Sequence, residues 1–237
     1  MAERPIFIPT AEADGYVKRV DLEIPWAGGF AEVQKKKNIR SLHEAAKKAG
    51  FTPLLEVSSK SDETAGRHLS AFHLRVSAGE RDMPLENAFQ GSKVFEHGGP
   101  YTDLFDVDPR DAKRDPRLRS SGALKAFKFQ GFEFPLIPTT VFYDWLYLNA
   151  IFPHRHWLKN RVDGEKRYDG FSDIEFNPSK SINCQAKSCA LFVSLMREDR
   201  FEEYLETPST FIAAMTTHML DSPGLQPHVK QPRFQVG

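Results

Sequence analysis

Over residues 182–199, apolar side chains recur at spacings of three and four: Ile182, Ala186, Cys189, Ala190, Val193 and Met196. That period gathers them on one face of an α-helix of about five turns. Ser181 is placed to cap its start. Such a stripe is stable only when buried against other elements, so the chain must supply a core.

The segments around this helix indicate what that core contains. Residues 85–96, 109–120 and 140–151 read as helices of about three turns each. A last helix opens at Pro208 or Ser209 and carries Phe211, Ile212, Met215 and Met219. The first third is different. Val20-Asp21-Leu22-Glu23-Ile24 alternates as a half-buried strand does, and residues 4–8 and 54–57 are further strand candidates. Between them, residues 35–49 form a helix pattern with Ile39, Leu42, Ala45, Ala46 and Ala49 on one face, and Gly50 stands where a left-handed cap would end it. No repeat, low-complexity block or interdomain linker interrupts the pattern. The expectation is one α+β domain, helix-rich with a small sheet, over residues 1–222. Residues 223–237, rich in Pro and polar residues, are expected to be a mobile tail.

Composition excludes several classes. With 237 residues, 40% hydrophobic and 27% charged, the chain is ordinary for a globular protein. Lys+Arg and Asp+Glu are each 32, so it lacks the basic excess of a non-specific nucleic-acid coat, and any such contact must be local. Two cysteines, Cys184 and Cys189, cannot build a disulfide framework. On one helix their spacing separates them by roughly 140°, which favours core packing over a bridge or a shared metal. The N-terminal residues lack a signal-like apolar run, and the most apolar stretch, 141–152, is broken by Asp144 and Asn149. The expected setting is soluble and cytoplasmic, with no membrane association. His43, His73, His154 and His156 have no carboxylate or cysteine at ligand spacing, so a metal hydrolase is rejected.

Four segments carry more polar chemistry than core-and-surface alternation requires: Ser58-Ser59-Lys60-Ser61, the run from Pro84 to Lys93, Ala112-Lys113-Arg114, and the run from Tyr168 to Pro178. Glu86 falls in the first turn of its helix, where a carboxylate is favoured for electrostatic reasons alone. Gln90 and Lys93 follow at i+4 and i+7, so the face either lines a polar pocket or is a solvated face with an ion pair. Lys60 is either a solvated turn residue or a usable amine.

In order and spacing these segments resemble the NADAR family of YbiA-like N-glycosidases. The resemblance is carried by Ser58-Ser59-Lys60-Ser61, then Leu69-Ser70-Ala71-Phe72-His73, then Leu85-Glu86-Asn87-Ala88-Phe89-Gln90-Gly91-Ser92-Lys93-Val94-Phe95, then Ala112-Lys113-Arg114. Three further phrases resemble, more narrowly, the NADAR antitoxins paired with DarT-type toxins. They are Gly98-Gly99-Pro100-Tyr101-Thr102-Asp103-Leu104, Phe142-Tyr143-Asp144-Trp145-Leu146-Tyr147 and the run from Phe176 to Ala186. The sequence departs from the family pattern at Ala71, where Asn is usual, at His73, and in lacking a late Trp-Gly pair.

The resemblance implies a NADAR-like fold and an enzyme that hydrolyses the N-glycosidic bond between ADP-ribose and guanine in DNA, releasing ADP-ribose. It also implies a cognate DarT-type toxin as partner and requires no cofactor. Glu86 would be the acid/base, and Asp173 would bind the ribose or stabilise its cation, with Asp169 in reserve. Lys60 would serve either as a Schiff-base amine or as a substrate contact. Ser59, Phe72, Phe89, Gln90, Lys93, Lys113, Arg114 and Asn177 would contact substrate. Arg117 is a further cation for the diphosphate, and Phe171 and Trp145 are further aromatics that could stack on a base. Two alternatives stay open: a small-molecule N-glycosidase, and an antitoxin that neutralises its toxin by contact alone.

Overall fold

The computed structural model describes residues 1–164 and 167–221; the expected tail, 223–237, lies outside them. The described elements are a helix-rich α+β arrangement with three small sheets. Strands β1 (Ala2–Pro9) and β2 (Val17–Ile24) form a long hairpin, and helix α1 (Glu32–Lys48) follows. Next come β3 (Leu54–Glu56), α2 (Thr64–His68), the hairpin β4 (Arg75–Ala78) and β5 (Arg81–Pro84), α3 (Leu85–Gly91) and β6 (Lys93–Phe95). Helices α4 (Pro109–Arg114) and α5 (Arg117–Ser120) lead to β7 (Leu124–Phe129) and β8 (Phe132–Phe134). Then follow α6 (Val141–Ile151), α7 (Arg155–Lys159), β9 (Gly170–Ser172), α8 (Gln185–Arg197), α9 (Phe201–Leu205) and α10 (Pro208–Asp221).

The main sheet runs β2-β1-β9-β3, with β9 antiparallel to β1 and parallel to β3. Alternation along the strands divides its two faces. Ile6, Ile24 and Leu54 meet Ile39, Leu42 and Ala46 of α1. Phe7, Leu55 and Phe171 face the larger core, where α6 and α8 contribute Phe142, Leu146, Tyr147, Ala186, Cys189 and Phe192. Ten of the eleven α6 residues are buried, all but Asn149, so this helix is surrounded by packing. The two cysteines are free and buried, as core packing requires. Among the described residues, no helix is long and apolar enough to cross a membrane.

Three expected helices have different limits. The helix expected over 85–96 ends at Gly91, because Val94 and Phe95 pair with β7. Gly91 lets the Phe105 ring pack against this end of the helix: a Cβ there would stand 2.5 Å from it. The stretch 109–120 breaks into α4 and α5 at Asp115-Pro116, since proline lacks the donor and disfavours helix in the residue before it. Helix α8 starts at Gln185, three residues after the expected Ile182, with Cys184 at its N-cap. Ser181 does not cap it and donates instead to Asn183 O at 3.1 Å.

Candidate functional site

The parallel pair β3 and β9 leaves the sheet at one end, with Glu56 opposite Ser172. From that end β3 enters the Ser58–Ser61 turn and β9 enters the loop beginning at Asp173. At its centre is Glu56, the buried last residue of β3, set among the apolar Leu54, Leu55 and Val57. It accepts hydrogen bonds from Ser58 Oγ and Ser172 Oγ, both at 2.6 Å, and from Ile174 N at 2.9 Å. His43 Nε2 lies 2.9 Å from the same Ser172 Oγ, tying α1 to the cluster. Burial raises the Glu56 pKa against the pull of these donors.

Asp173 is buried beside this group. Desolvation first, and the charge of Glu56 second, push its carboxyl up to about 8. It accepts from Glu175 N at 3.0 Å. Gln185, at the start of α8, bonds toward it while accepting from Ala71 N at 2.8 Å. Position 71 therefore works here through its backbone.

The second half of the site rises from α3. Gln90 Nε2 donates to Glu86 Oε1 at 2.7 Å, and Lys93 Nζ donates to Gln90 Oε1 at 2.6 Å. These three side chains form one hydrogen-bonded line, although Lys93 has already entered β6. Burial, aided by the charge of Lys113 and opposed by that of Glu86, lowers the Lys93 ammonium to about 8. Lys113 Nζ stands 3.6 Å from Glu86 Oε1 and 6.0 Å over the ring of Phe72, which is half exposed. Phe72 and Lys113, both exposed, thus stand on the solvent side of the buried Glu86.

Tyr143 on α6 links the two halves. Its phenol is raised well above its usual value by burial and then by the negative charges of Glu86 and Asp173. Both carboxyls are therefore within electrostatic reach of the Tyr143 phenol, which stays protonated. One turn on from Thr140, the buried Asp144 accepts from Thr140 Oγ1 at 2.7 Å, Lys187 Nζ at 2.6 Å and Ser188 Oγ at 2.6 Å. That network locks α6 against α8, and with them Tyr143 and Gln185.

Other expected site residues are distributed unevenly. Lys60 and Ser59 are half buried in the turn after β3. Lys60 N donates to Ser58 Oγ at 3.2 Å, and the Lys60 ammonium has no ion pair among the described residues. Phe89 lies in the core, with Phe127 and Tyr143 each 5.4 Å away and Lys93 4.8 Å over its ring. Phe171 and Trp145 are core residues too. Arg114 is exposed. Arg117 is held by Asp103 and Asp115 at 2.6 and 2.9 Å, which occupies it elsewhere. Asp169 accepts from Thr52 N at 2.8 Å at the far end of β9, roughly 10 Å of strand from Ser172. Asn177 closes a turn, accepting from Ser179 N and Oγ.

Glu56, Tyr143, Gln185 and His43 were not singled out as site residues from the sequence. Glu56 had a readable signal, a carboxylate inside an apolar strand pattern; the other three had none. The arrangement offers one carboxyl protonated near neutral pH, a second carboxylate on a hydrogen-bonded amide, and a phenol within electrostatic reach of both. These are groups that can give and take protons.

A family model described as NADAR-DarT1, a DarT1-associated NADAR antitoxin, matches residues 2–224. No curated protein matches the chain.

Proposed function

The chain belongs to the DarT1-associated NADAR antitoxin family, and from that membership we propose that it hydrolyses the bond between ADP-ribose and guanine in DNA, undoing the toxin's modification. The observation that carries this reading is the pair of buried carboxyls, Glu86 on its hydrogen-bonded Gln90 and Asp173 beside Glu56, with the buried Tyr143 phenol within electrostatic reach of both.

Hydrolysis needs a proton for the departing guanine amine and a water activated at the anomeric carbon. Asp173, raised to about 8, holds its proton at neutral pH and gives it to the amine as the carbon–nitrogen bond breaks. Glu86 takes the proton from the attacking water, and the new carbon–oxygen bond yields ADP-ribose. Both groups return to their starting state by exchange with solvent. Gln90 fixes the Glu86 carboxylate, and Lys93 fixes Gln90. Tyr143 donates to a ribose hydroxyl. Lys60 and Lys113 neutralise the diphosphate, and Phe72 covers the guanine face.

Co-expression with the cognate toxin tests the reading. Glu86→Gln keeps shape and leaves the Gln90 contact able to re-form. It is expected to fold, to lose roughly 10²–10⁴-fold in rate, and to leave cells unprotected. A folded Glu86→Gln protein that protects as well as wild type would mean neutralisation by contact.

A further inference from the structure

We propose that the polar face of α1 and the loop before it form a docking strip for single-stranded DNA on the strand carrying the modified guanine. The inference rests on the reading that the substrate base is in DNA. Helix α1 carries six cations against two carboxylates, although the chain as a whole is neutral. This is the local patch that a neutral nucleic-acid enzyme needs.

Placement of the cations gives the strip a direction. At about 100° per residue, Lys36 and His43 share one edge of the helix, Arg40 lies about 40° round from Lys36, and Lys37 about 100° round. The first edge borders the site: His43 bonds Ser172, and Lys36 pairs with Asp62, two residues beyond Lys60, at 3.0 Å. The far edge borders a surface hollow of about 430 Å³ lined by Trp26, Lys37, Arg40 and Ser41, with Glu44 also at its wall. Arg40 therefore stands between the hollow and the site mouth. Lys37 and Arg40 form no ion pair among the described residues.

Aromatic side chains complete the strip. Trp26 lines the hollow, with the Arg4 guanidinium 4.3 Å over its ring. Phe30 is 99% exposed four residues further along the loop. The loop is fastened where it matters: Asn38 on α1 exchanges two hydrogen bonds with Ala27, at 2.8 and 3.0 Å. Cations that follow a backbone, interleaved with rings on which bases stack, are what single-strand recognition uses.

The test is anisotropy of a fluorescein-labelled, unmodified single-stranded oligonucleotide, titrated at several salt concentrations. Lys37→Glu/Arg40→Glu changes only exposed side chains and is expected to weaken binding at least tenfold. The slope of log K against log salt should fall by about 1.4, the share of two phosphate contacts on a single strand. Phe30→Ala should weaken binding with no change in slope. An unchanged Kd in the charge-reversed variant would overturn the strip, as would absence of wild-type binding at low salt. Polyglutamate competing as well as DNA would also overturn it, marking an acidic protein as the occupant. Release of ADP-ribose from a modified single-stranded oligonucleotide separates the two proposals. At saturating substrate the charge-reversed variant should match the wild-type rate while its KM rises, whereas inactivity of wild type itself counts against the hydrolase reading and leaves the binding result to judge the strip.

Discussion

At the scale of single residues, the chemistry turns on which group carries a proton. Asp173 is held up to about 8 by burial and by Glu56, so it is a proton donor below that pH. The rate should therefore fall as pH rises through about 8, and this alkaline limb should vanish in the much slower Asp173→Asn variant. Lys93 titrates in the same range; Lys93→Arg, which stays charged, is expected to keep the limb. A rate flat to pH 10 would contradict the role given to Asp173. The same shift has a stability consequence. Native protein binds a proton that the unfolded chain has lost above about pH 4, so Asp173 lowers stability progressively from there to about pH 8. Asp173→Asn should accordingly melt higher than wild type at pH 8 and lose that difference near pH 4.

Lys60 separates two mechanisms. As a diphosphate contact, its ammonium can be replaced by guanidinium with partial activity retained. Lys60→Arg is expected to keep activity within about tenfold, one phosphate contact's worth of charge-assisted hydrogen bonding being about 1.5–3 kcal/mol and largely preserved. Borohydride added during turnover should trap nothing. An adduct found by mass spectrometry on the Lys60 peptide would replace direct hydrolysis with imine exchange.

At the scale of elements, the site depends on how closely α2 lies against the end of β3. A Cβ on Gly66 would stand 2.0 Å from the Glu56 carbonyl oxygen and 2.4 Å from Ser61 Oγ. Backbone cannot yield there without moving the Glu56 cluster and the Lys60 turn. Gly66→Ala is therefore expected to cost about 1–3 kcal/mol, which for a chain of this size lowers Tm by roughly 2–4 °C per kcal/mol, and to slow turnover. An unchanged melting curve would show that the contact is softer than drawn.

Elements were legible wherever one side of a segment is buried and the other is not. The alternation of Val20 to Ile24 became β2, and the apolar face of residues 35–49 became α1, closed by Gly50 at φ +90°. Boundaries failed where pairing or proline outweighed period: β6 removed Lys93 to Phe95 from a helix, and Pro116 divided another. At the site, the Glu86–Gln90 contact could be read from spacing, because helical neighbours meet within one element; Lys93 joins the line from β6, outside the helix that the spacing assumed. The other half could not. Glu56 meets Ser172, and Gln185 meets Ala71, across more than a hundred residues, and single-sequence periodicity carries no information about such pairs.

At the scale of the whole molecule, a helix-rich shell holds one polar cluster at the end of two parallel strands, and a basic helix flanks it. The chain is neutral overall while α1 carries six cations against two carboxylates, the local excess on which the proposed strip draws. Family membership gives the toxin-antitoxin setting; the reaction is the part that needs chemistry to decide it. The deciding measurement is mass spectrometry of a single-stranded oligonucleotide bearing one ADP-ribosylated guanine, incubated with purified protein. The account predicts that wild type returns the strand to its unmodified mass with one equivalent of free ADP-ribose, and that Glu86→Gln leaves it modified. A strand that wild type binds but leaves modified, with no ADP-ribose released, would contradict it.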